Sequence, residues 1–434
     1  MRDISRTIRK TAAAATLFAS ALLLPGAAAL AQNKIVLENH VFDNGDAGKI
    51  TFHSIELTDS NLDRDDVLKL FSATTPAEEA TALAARLSAS RLLIPALTFT
   101  AKTLQGTVKD IEATDIVAGT IKRYTTSQYQ STFIGDDGKE EAKIAASEAE
   151  NGSVTALIRM LRNFDPLTDT SAYTHLAFRE FEFGFEDKDL APYTSPGGMV
   201  WFRMDRLANT ITYGDTLLRR STLQIDKLTL DLPGLMRELS NEFGIDPSLA
   251  AFVTLEGDYD PASKTITSKF TLRANDHITL SIAGRLVDVE PNAMTSPPYR
   301  SRPELLSAAI RDADISLIDN GAIAKLLASW AQTEGSSPAK ATREAVREAQ
   351  TSVTDLFGRN AGSRQLSKGI GDFIRKPGHL KIVAAAKRDP LKLADLIDED
   401  TTKFLEKFNL KVVLQGRSSS EPSRAMDGRT RRDR

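Results

Sequence analysis

Between Ala251 and Arg285 polar and apolar residues alternate through three successive runs, and a period of two commits that segment to antiparallel strands. Phe252, Thr254 and Glu256 lead into Asp258-Tyr259-Asp260-Pro261-Ala262. There proline presets its own φ and an Asp side chain can bond nearby amides, which is the chemistry of a turn. Thr265 to Ala274 and His277 to Leu286 follow as the second and third strands.

The same alternation recurs along the chain. Ile50, Phe52, Ser54 and Glu56 occupy one parity and Thr51, His53, Ile55 and Leu57 the other, which predicts a strand with apolar side chains on both faces. Leu92 to Leu104, His175 to Phe185 and Ser221 to Leu232 read as further strands, and so do short runs at Ile315, Leu380 to Ala384 and Leu410 to Leu414. Met199-Val200-Trp201-Phe202-Arg203-Met204, entered by Pro196-Gly197-Gly198, carries large residues on both parities. A strand buried on both faces would explain that run, and so would one face lining a lipid-sized groove.

Helices are predicted between these strands. Asp63 starts one through Leu68 and Phe71, and Thr75-Pro76 opens an alanine-rich one ending near Ser90. Pro233-Gly234 precedes Leu235 to Phe243 with Leu235, Leu239 and Phe243 four apart, so Asp59 to Phe71 and Asp231 to Phe243 read as two divergent copies of a strand-turn-helix unit. Asp319 is expected to cap Gly321 to Glu334, where Ile323, Leu326, Leu327 and Trp330 share a face. Ser337-Pro338 starts a helix to about Phe357, Leu366 to Ile374 another, and Asp389-Pro390 a last one. The fold class expected is α+β, an elongated and predominantly antiparallel sheet with inserted short helices.

Residues 1–31 read as a cleaved secretion signal. Arg2, Arg6, Arg9 and Lys10 are its basic start, Ala12 to Leu24 its apolar stretch, and Ala29-Leu30-Ala31 the cut site before Gln32. The chain is therefore expected in the periplasm. With no cysteine in the sequence, a lipoprotein anchor, disulfides, thiolate nucleophiles, iron-sulfur clusters and cysteine zinc sites are excluded. The expected organisation continues as an N-terminal sheet-and-helix region 32–150, a central antiparallel sheet 151–290, a helix-rich region 291–416 and a disordered basic tail 417–434. The polar loops Gly135 to Gly152 and Val289 to Arg302 are the expected boundaries.

Formal charge is -3; the first 31 residues hold four bases and one acid, and residues 417–434 six arginines and three acids, so the body between carries -9. An acidic body argues against nucleic acid as a partner and confines membrane contact to the tail. His40, His53, His175, His277 and His379 form no i, i+4 pair and no HExxH pattern, and no GxSxG, GxxxxGK or GxGxxG occurs. Asp312, Asp314, Asp319 and Asn320-Gly321 lack the spacing of a calcium loop, because Ile315 to Ile318 interrupts the acceptors. Asp136-Asp137-Gly138 reads as a solvated acidic turn. No catalytic, cofactor-binding or metal-ligating residue is therefore expected, and no cofactor.

Leu255 to Pro261, Ser281-Ile282-Ala283-Gly284, Asp314 to Gly321 with the Trp330 helix, and Phe373 to Leu380 together resemble uncharacterised exported proteins of alphaproteobacteria. Those are remotely similar to AsmA-like envelope proteins, whose sheets curl into troughs linked to lipid handling. The resemblance implies a lipid or an envelope protein as partner and brings no functional position with it. The function expected is that of a non-enzymatic envelope protein binding such a partner on an apolar sheet face. The alternatives are an envelope-polymer hydrolase using carboxylates about 5 to 10 Å apart, and a structural or assembly factor.

Overall fold

The computed structural model describes residues 33–415 apart from 136–137, 164–172, 188–189, 191–193, 195–197, 215–216, 232–233, 235–249, 276, 295–304 and 398–400. The signal and tail lie outside the described residues, as do the Leu235 to Phe243 helix and Asp136-Asp137.

Among the described residues seventeen strands form one antiparallel meander in which each strand pairs with its near neighbours in sequence. The first nine are β1 Lys34–Asp43, β2 Lys49–Thr58, β3 Ala89–Thr100, β4 Leu104–Val117, β5 Thr120–Thr126, β6 Gln128–Gly135, β7 Gly138–Ser153, β8 His175–Glu186 and β9 Met199–Gly214. Then come β10 Leu217–Asp231, β11 Ala251–Asp260, β12 Thr265–Ala274, β13 Ile278–Val287, β14 Ala309–Asp319, β15 His379–Ala386, β16 Leu391–Lys392 and β17 Phe408–Gln415. Predominantly antiparallel sheet with inserted helices is therefore the observed class.

Gly135 to Gly152 is not a loop: β7 occupies it and pairs with β5, β6 and β8. Its lysines, glutamates and alanines are poor strand formers, but Glu140, Ala142 and Ile144 alternate inward between two strands whose ladders need a partner.

A seam crosses β1 to β10. The pairing ladder is interrupted at Asn39, Pro95, Asp110, Ser127, Ala145, Glu180, Asp205 and Lys227 among others, and the register sets Pro95, Asp110 and Ser127 opposite one another, and likewise Ala145, Glu180, Asp205 and Lys227. Asn39, Asp110, Glu180 and Lys227 have φ between 48° and 53°, the left-handed region. Side-chain parity inverts at the seam, through a left-handed residue on β1, β4, β8 and β10 and on β2 and β3 without one. Since neighbouring strands invert together, register survives and one sheet face stays inward. Thus Ile50 and Phe52 are buried before the seam and Ile55 and Leu57 after it, Leu92 and Ile94 before and Leu97 and Phe99 after, Leu176 and Phe178 before and Phe181 and Phe183 after. Apolar residues on both parities of Ile50 to Leu57 therefore belong to one face, not two.

That face closes on helices α1 Arg64–Leu70, α2 Ala77–Arg86 and α3 Val154–Asn163. Asp63 caps α1 by accepting from the Asp66 amide at 2.8 Å. At α2 the cap is Pro76 itself, with no side-chain acceptor. Val67, Leu70, Ala80, Leu83 and Ile158 join the sheet residues in one core, where Phe71 meets Phe52 edge-on at 5.8 Å. The Arg162 guanidinium ties α3 to the α1–α2 loop by donating to the carbonyls of Ser72 and Ala73 at 3.3 Å, and to that of Thr75.

At the other end α4 Ala322–Thr333, α5 Pro338–Phe357 and α6 Ala361–Arg375 follow β14, and a short α7 Leu393–Ile397 follows β16. Ser337 caps α5 with Pro338 in its first turn, and Asn360 with Ser363 forms a capping box that starts α6 five residues before the expected Leu366. Asp319, 1% exposed, accepts from the amides of Gly321 at 3.0 Å and Ile323 at 2.9 Å, so it does hold the start of α4. α6 lies on β17: a Cβ added to Gly369 would stand 2.2 Å from Val412 Cγ1.

Candidate functional site: an apolar sheet face

The register of β10 to β17 builds two transverse rows. Ile225, Val253, Leu272, Leu280, Leu317, Leu380 and Leu414 stand opposite one another in turn, and so do Leu223, Leu255, Phe270, Ile282, Ile315, Ile382 and Val412. Each row places one apolar side chain per strand on the same face. The opposite face holds rows such as Gln224, Thr254, Thr271, Ser281, Ser316 and Lys381. A sheet so divided must hide its apolar side or use it.

Cover is fuller towards the two ends, although Leu414 on β17 is itself 39% exposed. Leu380 is 4% exposed and Ile382 packs against α6 with Leu410, Val353 and Leu366. Towards β9 the face runs into the core through Leu207, Met204 and Phe202. In between, Leu255 is 44% and Ile282 39% exposed, and Val253, Phe270, Leu272, Leu280, Ile315 and Leu317 are half-buried. A second small cluster of Tyr259, Val289, Ala293 and Ala308, with Ile266 and Leu286, bounds the face at one end of the strands. The Tyr259 hydroxyl donates to the Val289 carbonyl at 3.1 Å there.

Met199 to Met204 contributes one side only. Val200 is buried and Phe202 stacks on Phe185 at 6.1 Å on the core side. Trp201 is on the other side beneath the Lys143 ammonium, 4.5 Å from the ring centroid, with the Arg203 guanidinium at 6.0 Å. The strand is therefore not buried on both faces.

The acidic candidates sit in ordinary polar contacts. Asp312 receives the Arg285 guanidinium, Asp314 pairs with Lys381 at 2.6 Å, and Asp319 caps α4. Glu141 lies between Lys139 at 2.5 Å and Lys143 at 3.5 Å, and the Lys139 ammonium holds its carboxyl below the usual carboxylate range. Among the described residues no group of three His, Asp or Glu side chains could hold a metal ion. No described helix is long and apolar enough to cross a membrane.

The histidines stay apart. His40 bonds the Phe71 carbonyl at 2.8 Å and His175 the Thr210 hydroxyl at 3.0 Å. His379 lies within 2.8 Å of the Ser316 hydroxyl and 3.1 Å of Gln415 Oε1, a serine-histidine-amide file across β14, β15 and β17 that no sequence spacing revealed. It occupies the polar face, with Gln415 exposed and Ser316 and Lys381 opposite each other in the ladder. β14 and β15 are paired on both sides and commit their amides to the ladder, and an oxyanion hole needs free ones.

A family model described only as an uncharacterized protein matches residues 271–414. The match begins in β12 and takes in β13, β14, the three long C-terminal helices and β15 to β17, about half of the apolar face together with its cover. No curated protein matches the chain.

Proposed function

We propose that this chain is an exported, non-enzymatic envelope protein that holds a hydrocarbon chain against the apolar face of β10 to β15. The observation that carries the proposal is the apolar row through Leu255 and Ile282, exposed mid-sheet, with the half-buried row through Val253 and Leu280 beside it. Their side chains have no hydrogen-bonding groups, and the backbone between them is used in the ladder. Protein-recognition surfaces are rich in Trp, Tyr and Arg anchors; these rows have only Leu, Ile, Val and one Phe. The ligand that such a wall prefers has no polar groups either, which describes an acyl chain.

Magnitudes favour a ligand with two chains. Full burial of a methylene is worth about 0.8 kcal/mol, so contact with one wall gives roughly 0.4, and twelve methylenes roughly 5 kcal/mol. That corresponds to a dissociation constant of about 0.2 mM before ordering costs. Two chains side by side double the gain. Periplasmic location rests on the Ala12 to Ala31 signal pattern, and any contact with anionic headgroups is assigned to the tail from Arg417.

Chloroform-methanol extraction of protein purified from the periplasm of its host tests the reading. Co-purifying diacyl lipid is expected, and it should be lost when Ile282→Asp and Leu255→Asp are combined in a chain that remains folded. A lipid-free extract from the wild-type protein would contradict it.

A further inference from the structure

On the face away from the core, the seam opens a concavity of about 430 Å³ across β4, β5, β7 and β8. That volume falls in the range of small-ligand sites. Asp110, Ser127, Ala146 and Arg179 line it as one transverse row, an acid at one end and a guanidinium at the other. The two central residues are small, so the floor is low. Glu112, Arg123 and Glu148 stand alongside.

The charges are arranged unevenly. Glu112 is engaged by Arg91 at 2.5 Å, outside the concavity, and Asp110 accepts from the Ser127 hydroxyl at 2.5 Å. Glu148 takes the two arginines at longer range, Arg123 at 3.6 Å and Arg179 at 3.8 Å. Arg86, Arg220 and Arg375 elsewhere close on their carboxylates to between 2.7 and 2.9 Å. The Arg179 guanidinium, 3.8 Å from its carboxylate, can accept a second carboxylate with charge-assisted bonds.

We propose that this groove binds a short zwitterionic peptide, its carboxylate at Arg179 and its ammonium at Asp110. Three strand spacings separate the Asp110 and Arg179 backbones, about 14 Å. Side chains reach inward from both ends, leaving a span that two or three extended residues fill at about 3.5 Å each. No aromatic ring lines the groove, which removes the stacking platform on which a sugar would rest.

Titration calorimetry with trialanine, N-acetyl-trialanine and trialanine amide tests this, using the full chain, Arg179→Met and Asp110→Asn. Asparagine tolerates the left-handed backbone at position 110, so that variant should melt with the parent. Trialanine is expected to bind, and each blocked terminus or each variant to weaken it about tenfold, the size of one charge-assisted contact. Acetylation and Asp110→Asn should not add, because both remove the same pair. The proposal fails if trialanine does not bind at about 10 mM, if blocked peptides bind equally, or if N-acetylglucosamine competes as well as trialanine.

Discussion

Ile282 stands directly opposite Ile315 in the β13–β14 ladder, mid-sheet, yet keeps 39% of its surface accessible. Ile55, equally central in β2, is fully buried beneath α1 and α2. The same residue type in the same kind of strand thus serves two ends, one closing a core and the other facing outward. Ile55→Ala is expected to cost about 2–5 kcal/mol, the range for a cavity in a packed core. Ile282→Asp should cost about 1 kcal/mol, set by strand propensity alone. Urea unfolding of the two variants distinguishes the cases, and equal losses would mean that the face is covered.

Glu180 opposes Asp205 at the seam with φ of 49°. A Cβ in that region costs about 1–2 kcal/mol, whereas glycine enters it freely but loses about 0.5–1 kcal/mol through the unfolded chain. Glu180→Gly is therefore expected to be neutral or slightly stabilising. Glu180→Val, with a branched Cβ, should lose about 2 kcal/mol. Midpoints from chemical denaturation check the ordering, and a tolerated valine would remove the seam's backbone argument.

That seam explains what could and could not be read from the residues. Turn and cap signals stood where local chemistry dictates structure: Asp260-Pro261 between β11 and β12, Asp63 before α1, Ser337-Pro338 before α5. Parity was misleading at Ile50 to Leu57, since a left-handed Asn39 on the neighbouring strand and its aligned partners exchange faces without any glycine or proline on β2 itself. β7 was hidden because Lys139, Glu141 and Lys143 are there for their charge pairing along an outer face, not for strand propensity. The apolar rows needed the register: Leu255, Ile282 and Ile382 are far apart in sequence and become neighbours through Phe270 and Ile315. The groove over Ser127 depended on the same information.

Gly369 lets α6 lie on β17, since an added Cβ would stand 2.2 Å from Val412 Cγ1. Gly369→Ala gains helix propensity of up to about 1 kcal/mol but forces the helix off the strand, a strain of roughly 1–3 kcal/mol. A net loss of stability is expected, recovered in part by Val412→Ala. Thermal melts of the single and double variants measure the coupling, and simple additivity would contradict the packing.

Tyr124, Tyr129 and Tyr173 sit in or against the core, and burial raises all three phenols above the ordinary value near 10. Groups raised in this way stabilise the fold fully below pH 10 and lose that contribution as pH rises towards their folded values. Stability is expected to fall above pH 10, with these phenols ionising only as the chain unfolds. Absorbance at 295 nm followed alongside circular dichroism tests this, and ionisation of all the tyrosines ahead of unfolding would count against the buried placement.

The most direct test of the apolar face is native mass spectrometry of the exported protein after gentle purification, comparing the wild type with Leu255→Asp/Ile282→Asp. The expected result is a wild-type population carrying additional mass that fragments to a diacyl lipid, and a folded variant without it. A wild-type protein that flies at its bare chain mass, or a variant that retains the same lipid, would contradict the proposed role.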